Sequence, residues 1–351
     1  MGAYVSFVTC GRNDGYTPSY IRRVNRATAC LIGQLERVGL DAEIIVVEWN
    51  PPSDRPLLIE SLDLPQKLSR VAIRGIIVPP EYHDRFAGAR ERGIQAGEAV
   101  NVGLRRARGR FSTTKASDTF FSDAAIAKIA QRELDPDTVY RLDRHDVVIE
   151  DESIWDLDDA ALLTHLAALP SEIHAFIHQS AYWELRDLHT NACGDFTLMS
   201  SAYWHLLRGG VLDRTVLTLD NDSLVLHAAA ALGVIETRWP DECRVYKPIH
   251  GNLNSARVLQ VWRPWQRHLD KFLFERVGAK AAHWARTSFD YPRRKIRGVE
   301  SILGPSIERN FVLPASRWAQ GELPALTQPE SWGLADVALE QRTLCAADWE
   351  G

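Results

Sequence analysis

The chain has 351 residues, 45% of them hydrophobic and 25% charged, with a formal net charge of −5. That is the balance of an ordinary soluble globular protein, long enough for about two domains and a sizeable core, and it excludes a general nucleic-acid binder, which needs a basic surface. The five cysteines are odd in number and lack C-x-x-C spacing, which excludes a disulfide framework or zinc cage and makes reduced, cytosolic thiols the expectation.

Tyr4 to Thr9, a β-branched and aromatic run, reads as a first strand. A polar loop, Cys10 to Gly15, follows it. Pro18 and Ser19 open a long helix to about Val38, with Ile21, Val24, Ala27, Leu31 and Leu35 near helical spacing, and Gly39 ends it. Glu43 to Glu48 is the short apolar run of a strand buried on both faces. Strand, loop, helix and strand in that order begin a doubly wound α/β domain. No G-x-G-x-x-G follows the first strand, so a dinucleotide fold finds no support. Asn50-Pro51-Pro52 turns the chain, Val71 to Val78 is a third strand, and Tyr82 to Arg92 is a charged loop.

The richest stretch runs from Gly97 to Asp123. Glu98 to Ala107 reads as a helix with Ala99, Val102, Gly103 and Ala107 on one face. Gly109 ends it, and Arg110 to Lys115 reads as a strand. Asp118 stands just beyond the strand's C-terminal edge, where open α/β sheets hold their ligands. Arg85, Arg90, Arg92, Arg105 and Arg106 form a local basic cluster. It suits an anionic diphosphate, which arginine grips as a fork, and it equally suits a solvated helix face.

Ser122-Asp123 caps a helix to about Glu133. Thr138 to Asp143 reads as a further strand, and charges alternate from Arg141 to Asp146, as in either a site or an ion-pair ladder. Residues 147–192 contain a short helix, Leu162 to Leu169, and histidines without metal spacing (His174, His178, His189). Gly194 to Met199 is a short strand, and Ser200 caps a helix through Leu207 that Gly209-Gly210 closes. Leu219 to Ser223 leads into a helix from Leu224 to Leu232. Asp222 at its start is ionised and held by the dipole and the free N–H groups. It reads either as a cap or as a base that takes a hydroxyl proton.

Val234 to Arg238 is a strand, and Cys243 to His250 closes the domain. From Gly251 onward the character changes. Val261 to Trp265 and Leu269 to Val277 form a basic–aromatic helix, a second lies near Ala279 to Ala285, and a Pro-rich tail follows. Such a helix packs on its own domain, on a second subunit, or on a membrane surface. No apolar run is long enough to cross a membrane, and the N-terminus lacks a basic region followed by an apolar stretch, so neither a transmembrane helix nor a signal peptide is expected. The eleven tryptophans serve either as sugar-stacking platforms or, more commonly, as core.

Ala99, Asn101, Gly103, Ala107 and Gly109, followed by a strand and Asp118, resemble the family 2 type of glycosyltransferase with a GT-A fold. That family carries an A-x-N-x-G helix, an A-x-G tail, and a strand ending in Asp-x-Asp. Counted from Gly109, the two aspartates fall on Ala116 and Asp118, so the first is missing. Asn221-Asp222 stands where the family has a Glu-Asp pair, again with the first acid lost.

The resemblance implies a GT-A type α/β domain over residues 1–250, a mixed, mostly parallel sheet flanked by helices, and a helical C-terminal appendage over 251–351. It implies a glycosyltransferase of the hexosyltransferase class. The donor would be a nucleotide-diphosphate sugar of UDP or GDP type, and the acceptor a hydroxyl of a glycan, lipid-linked or small-molecule compound. Inversion by direct attack follows, with Asp222 as base. The resemblance places Thr9, Gly11, Arg12, Glu48, Asn101, Arg105, Ser117 and Asp118 at the donor, Asp195 at the acceptor, and residues 147–192 over the acceptor. It places Mn²⁺ or Mg²⁺ on Asp118 and His250, as a Lewis acid for the leaving diphosphate. Glu48 also reads as a solvated turn residue and His250 as a loop histidine. The expected location is the cytoplasm, with the C-terminal helices on the inner face of the membrane or in a homodimer. Two other classes stay open. A nucleotidyltransferase would show a glycine-rich basic loop after the first strand, and here that loop has one arginine. A catalytically silent nucleotide-sugar or glycan-binding protein is favoured by the two lost acids.

Overall fold

A strand covered on both faces is mostly apolar, with any polar side chain paired inside the fold, and the runs of this kind form the centre of the sheet. In the computed structural model β1 (Val5–Gly11), β2 (Ala42–Trp49) and β3 (Val71–Val78) pair in parallel, Val5 against Ala42 and Ala42 against Val71. β4 (Phe111–Thr114) lies in parallel along the other side of β1, Val5 against Phe111 through Val8 against Thr114. The structure describes residues 2–15, 17, 19–65, 67–86, 89, 93–173, 185–186, 188–190, 192–210, 221–249, 272–273, 275–278, 281, 294–296, 299–301, 313–324 and 328–350.

The remaining strands are β5 (Phe120–Phe121), β6 (Thr138–Arg141), β7 (Asp143–Val147), β8 (Ser171–Ile173), β9 (Leu198–Ser200), β10 (Ile235–Arg238), β11 (Arg244–Pro248), β12 (Arg294–Ile296), β13 (Val299–Ser301) and β14 (Glu340–Cys345). The main sheet has the order β10-β6-β9-β4-β1-β2-β3-β14. It is parallel except where β9 meets β4 and β6 and where β14 meets β3. A second sheet has the order β5-β11-β7-β8, and β12 pairs with β13 in an antiparallel hairpin. This is the expected mixed α/β architecture, a mostly parallel sheet flanked by helices.

Alternation along the strands decides which helix covers which face. Phe7, Ile44 and Val46 pack with Val24, Leu31 and Leu35 of α1 (Tyr20–Arg37). Val8, Ile45 and Val47 pack on the other side with Ala99 and Val102. A one-turn helix, α2 (Pro80–His83), follows β3, and α3 (Ala96–Arg106) carries Ala99 and Val102. At Gly103 a Cβ would lie 2.4 Å from Val8 Cγ1, so the missing side chain is what lets α3 sit down on β1.

The predicted strand Thr138 to Asp143 is divided at Leu142, with β6 in the main sheet and β7 in the second. Arg141 at the break is fully buried, its Nε on the His189 carbonyl at 2.9 Å and its Nη1 on Thr197 Oγ1 at 2.7 Å. Further helices are α4 (Asp123–Ala130), capped by Ser122 as predicted, α5 (Asp159–Ala168), α6 (Ser201–Leu206), capped by Ser200, and α7 (Asn221–Ala231).

The C-terminal part adds a strand that the sequence pattern does not predict. Among its described residues are a helix, α8 (Leu313–Ala319), and β14, which extends the main sheet by pairing antiparallel with β3, Glu340 opposite Ile77. Trp332 is buried ahead of it, with the Arg105 guanidinium 5.0 Å from its ring centre. Arg106 donates to the carbonyls of Gly333 at 2.5 Å and Leu334 at 2.7 Å. The basic–aromatic segment Val261 to Trp265 lies outside the described residues. No described helix is long and apolar enough to cross a membrane.

At Gly109 a Cβ would stand 2.6 Å from the Ser6 nitrogen, 2.7 Å from the Val5 carbonyl carbon and 2.8 Å from the Phe111 oxygen, all backbone atoms. Overpacking of this kind costs about 1–3 kcal/mol. Gly109→Ala is expected to lower the unfolding free energy in urea by that amount, seen as a lower midpoint at an unchanged slope; a stability equal to wild type would show that β1 and the turn before β4 are less tightly seated than described.

Candidate active site

The chain leaves β1 through α1 to reach β2 on one side, and β4 returns to the other side. The strand order therefore reverses between β1 and β4, and at such a reversal an open α/β sheet has its ligand crevice, beyond the carboxyl ends of the strands. Thr9 to Gly11 form one lip and Lys115 to Asp118 the other.

Tyr20, the first residue of α1, spans the crevice, its hydroxyl 3.0 Å from Ser117 Oγ. Burial, the largest influence, raises its phenol pKa. A Cβ on Gly11 would come within 2.6 Å of that hydroxyl and 2.8 Å of Leu58 Cδ2, so a side chain there would have to displace the Tyr20 and Leu58 tips. Thr9 is buried, and its Oγ1 has no hydrogen-bond partner among the described residues. Arg12 donates through Nη1 to the Gly93 carbonyl and has Nε 3.7 Å from Asp14 Oδ2.

Asp118 is 3% exposed and lies between two cations. Arg23 Nε stands 3.4 Å from Oδ2, and Lys247 Nζ bonds Oδ1. Arg23 comes from the buried stripe of α1 and Lys247 from β11, so both sheets and α1 converge on this carboxylate. Lys115 lies under it, fully enclosed, donating to the carbonyls of Ala116 at 2.9 Å and Ser117 at 3.2 Å. Burial lowers its pKa to about 7, against the opposing pull of Asp118.

A second set of charges adjoins the first. Arg144 on β7 donates to Asp195 Oδ2 at 2.6 Å and to Asp146 Oδ1 at 2.7 Å. Desolvation works against the guanidinium's charge, yet the two carboxylates prevail and raise its pKa. Asp195 is buried in this contact. Asp222, in the first turn of α7, is exposed, and its Oδ2 accepts from the Gly194 N–H at 2.7 Å. The adjacent Cys193 carbonyl accepts from Thr114 Oγ1, at the end of β4, at 2.9 Å. Asp222 and the crevice are thus tied together through one loop, 192–197.

Three predicted donor residues have other work. Glu48 is fully buried, and its oxygens accept from the N–H groups of Leu58 at 2.5 Å and Ile59 at 3.1 Å. It caps an internal turn rather than facing a nucleoside from the surface, and burial raises its pKa. Asn101 is 1% exposed and brackets Gly210, accepting from its N–H at 2.7 Å and donating to its carbonyl at 3.3 Å. Arg105 lies against Trp332, away from the crevice, because it occupies the face of α3 on which the C-terminal segment packs. Arg23 and Lys115 were not singled out from the sequence. The signal for Arg23 is its place on the apolar stripe formed by Tyr20, Val24, Ala27 and Leu31.

The resemblance places a divalent metal on Asp118 and His250. Residue 116 is alanine, Asp118 is already in contact with two cations, and no group of three metal-ligating side chains occurs among the described residues. His250 lies outside them. Among the described residues, the side chains around Asp118 do not form a donor set for a divalent cation.

No family model matches the chain, and no curated protein matches it. Among solved structures it is similar to the mannosyltransferase PcManGT from Pyrobaculum calidifontis in complex with GDP-Man and Mn2+, at 12% identity over 95% of this chain and 86% of that one, with a TM-score of 0.41. It is also similar to the catalytic domain of Drosophila beta1,4-galactosyltransferase 7 in complex with xylobiose, at 10% identity over 67% of this chain and 64% of that one, with a TM-score of 0.33.

An unfolded lysine titrates near 10.4, above the folded Lys115, so the unfolded chain binds the extra proton between about pH 7 and 10.4 and this residue's effect on stability improves as pH rises through that window. Lys115→Met is expected to flatten the pH dependence of urea unfolding there, by up to about 1.4 kcal/mol per pH unit. An identical slope in both proteins would show that Lys115 stays charged in the fold.

Proposed function

We propose that this chain is a glycosyltransferase, moving a hexosyl group from a nucleotide-diphosphate sugar to an acceptor hydroxyl with inversion. The reading rests on one observation: the crevice where the strand order reverses is lined by Thr9, Gly11, Ser117 and Asp118, and the same loop that packs on β4 holds Asp222. Donor recognition is assigned to the β1 and β4 lips. Residues 1–250 carry the reaction, with β14 closing the sheet edge.

In the transfer, the acceptor oxygen forms a bond to the anomeric carbon as the bond from that carbon to the diphosphate breaks. The proton of the acceptor passes to the Asp222 carboxylate, and the bonding electrons leave with the nucleoside diphosphate. Asp222 suits the base role because an exposed carboxylate in a helix's first turn stays ionised, and its bond from the Gly194 N–H fixes its direction. Asp195 acts at one remove, by holding Arg144.

Asp222→Asn keeps an acceptor for the Gly194 N–H but cannot take a proton. It is expected to lower kcat by about 10²- to 10⁴-fold, the usual contribution of a general base, while leaving donor Kd within a few-fold. The assay follows nucleoside diphosphate release from UDP- and GDP-sugars with a glycan acceptor panel. Full turnover in the variant would remove the base assignment. Pyrophosphate release from a nucleoside triphosphate and a sugar phosphate would replace transfer by nucleotidyl transfer.

A further inference from the structure

The acid missing at position 116 and the cations gathered on Asp118 belong together. A pair of acids at the end of this strand would attract a dication. Here a single carboxylate, 4% exposed at its side chain, already has Arg23 and Lys247 against it. A divalent ion drawn to Asp118 would have to push the Lys247 ammonium aside and sit beside the Arg23 guanidinium, with Lys115 beneath. We propose that Lys247 supplies from within the chain the positive charge that meets the donor diphosphate, so that donor binding needs no divalent cation. This rests on the glycosyltransferase reading above.

Three features make Lys247 the group for this role. Its side chain is 21% exposed while those of Arg23 and Asp118 are 4% exposed, so it is the member of the trio that a ligand can reach. An ammonium has three N–H donors; one serves Asp118, and the others are available in number to a diphosphate oxygen. Its backbone is fixed opposite Asp146 in the pairing of β11 with β7, and Asp146 is in turn held by Arg144. Lys115 acts as a positioning residue, because its two bonds to the Ala116 and Ser117 carbonyls shape the turn that presents Asp118. When the bond to the anomeric carbon breaks, the diphosphate gains a negative charge; Lys247 offsets that charge by hydrogen bonding and transfers no proton.

The test is calorimetric titration of the full chain with UDP, GDP, CDP and ADP, each in EDTA and in MnCl2, for wild type, Lys247→Ala and Lys247→Arg. One diphosphate is expected to bind wild type with the same Kd, within about threefold, under both conditions. Lys247→Ala should weaken it by about 10- to 100-fold in EDTA, the range for loss of a charged hydrogen bond, and Lys247→Arg should keep most of the affinity. Wild-type binding strengthened more than about tenfold by Mn²⁺, or an alanine variant with undiminished affinity in EDTA, would overturn the proposal while leaving the glycosyltransferase reading in place. Absence of binding to every diphosphate under both conditions would overturn both. If circular dichroism shows that the alanine variant does not fold, the wild-type comparison and the arginine variant decide.

Discussion

Every ligand-facing feature of this molecule depends on the parallel pairing of β4 with β1. A parallel neighbour is reached only through a crossover, and the crossovers through α1 and α3 go to opposite faces of the sheet. That choice puts the reversal of strand order between β1 and β4, and with it the crevice. The pairing depends in turn on two glycines. Gly103 lets α3 approach β1 at Val8, and Gly109 lets the turn before β4 approach the backbone of Val5 and Ser6. Asn101, two residues before Gly103, holds the backbone of Gly210. The pattern of Ala99, Asn101, Gly103 and Gly109 is therefore a packing pattern. It marks a sheet with a crevice in a known place, and it says nothing of what the crevice binds.

Polar networks lie at both ends of the sheet, and their difference is instructive. At the amino end Glu43 is fully buried and accepts from Ser6 Oγ at 2.8 Å, Arg74 Nε at 2.7 Å and the Arg108 N–H at 3.0 Å. It is a carboxylate surrounded by donors inside the fold, and such a group serves to hold strands together. At the carboxyl end Asp118 has its donors too, but one of them, Lys247, reaches the surface. Buried charges cost desolvation and persist only when paired. A paired charge that is partly open is where an anion can still approach.

The C-terminal segment explains the arginines on α3. An open edge of β3 would present unpaired backbone groups, and β14 covers it. Arg74 on β3 reaches Gln341 on β14 at 3.0 Å and the Arg106 carbonyl at 2.6 Å, so helix, sheet and last strand share one side chain. Arg106 binds the carbonyls of the turn around Gly333, where φ is +61°. Arg105 and Arg106, part of a basic cluster that reads as an anion site in one dimension, are in the fold the clasp of the chain's final segment.

The sequence by itself determined the central elements and their order. Val71 to Val78 and the run from Ile44 to Val47 are strands because they are apolar on both faces, α1 is a helix because its apolar residues recur at helical spacing, and Ser122 and Ser200 stop and start the chain as caps do. These are local patterns, and local physics enforces them. Asp118 was legible as well, from its place past a strand end. What only the tertiary structure decided was which charges meet. Lys247 reaches Asp118 across 129 positions, and Arg23 across 95. Glu48 looks like a residue at a strand end until Leu58 and Ile59 fold over it. The last strand was hidden because Glu340–Cys345 carries no alternation strong enough to predict an edge, and gains its place from β3. Pairing of charge and coverage of an edge are properties of the distance between groups in space, and sequence separation does not encode that distance until the chain is closed.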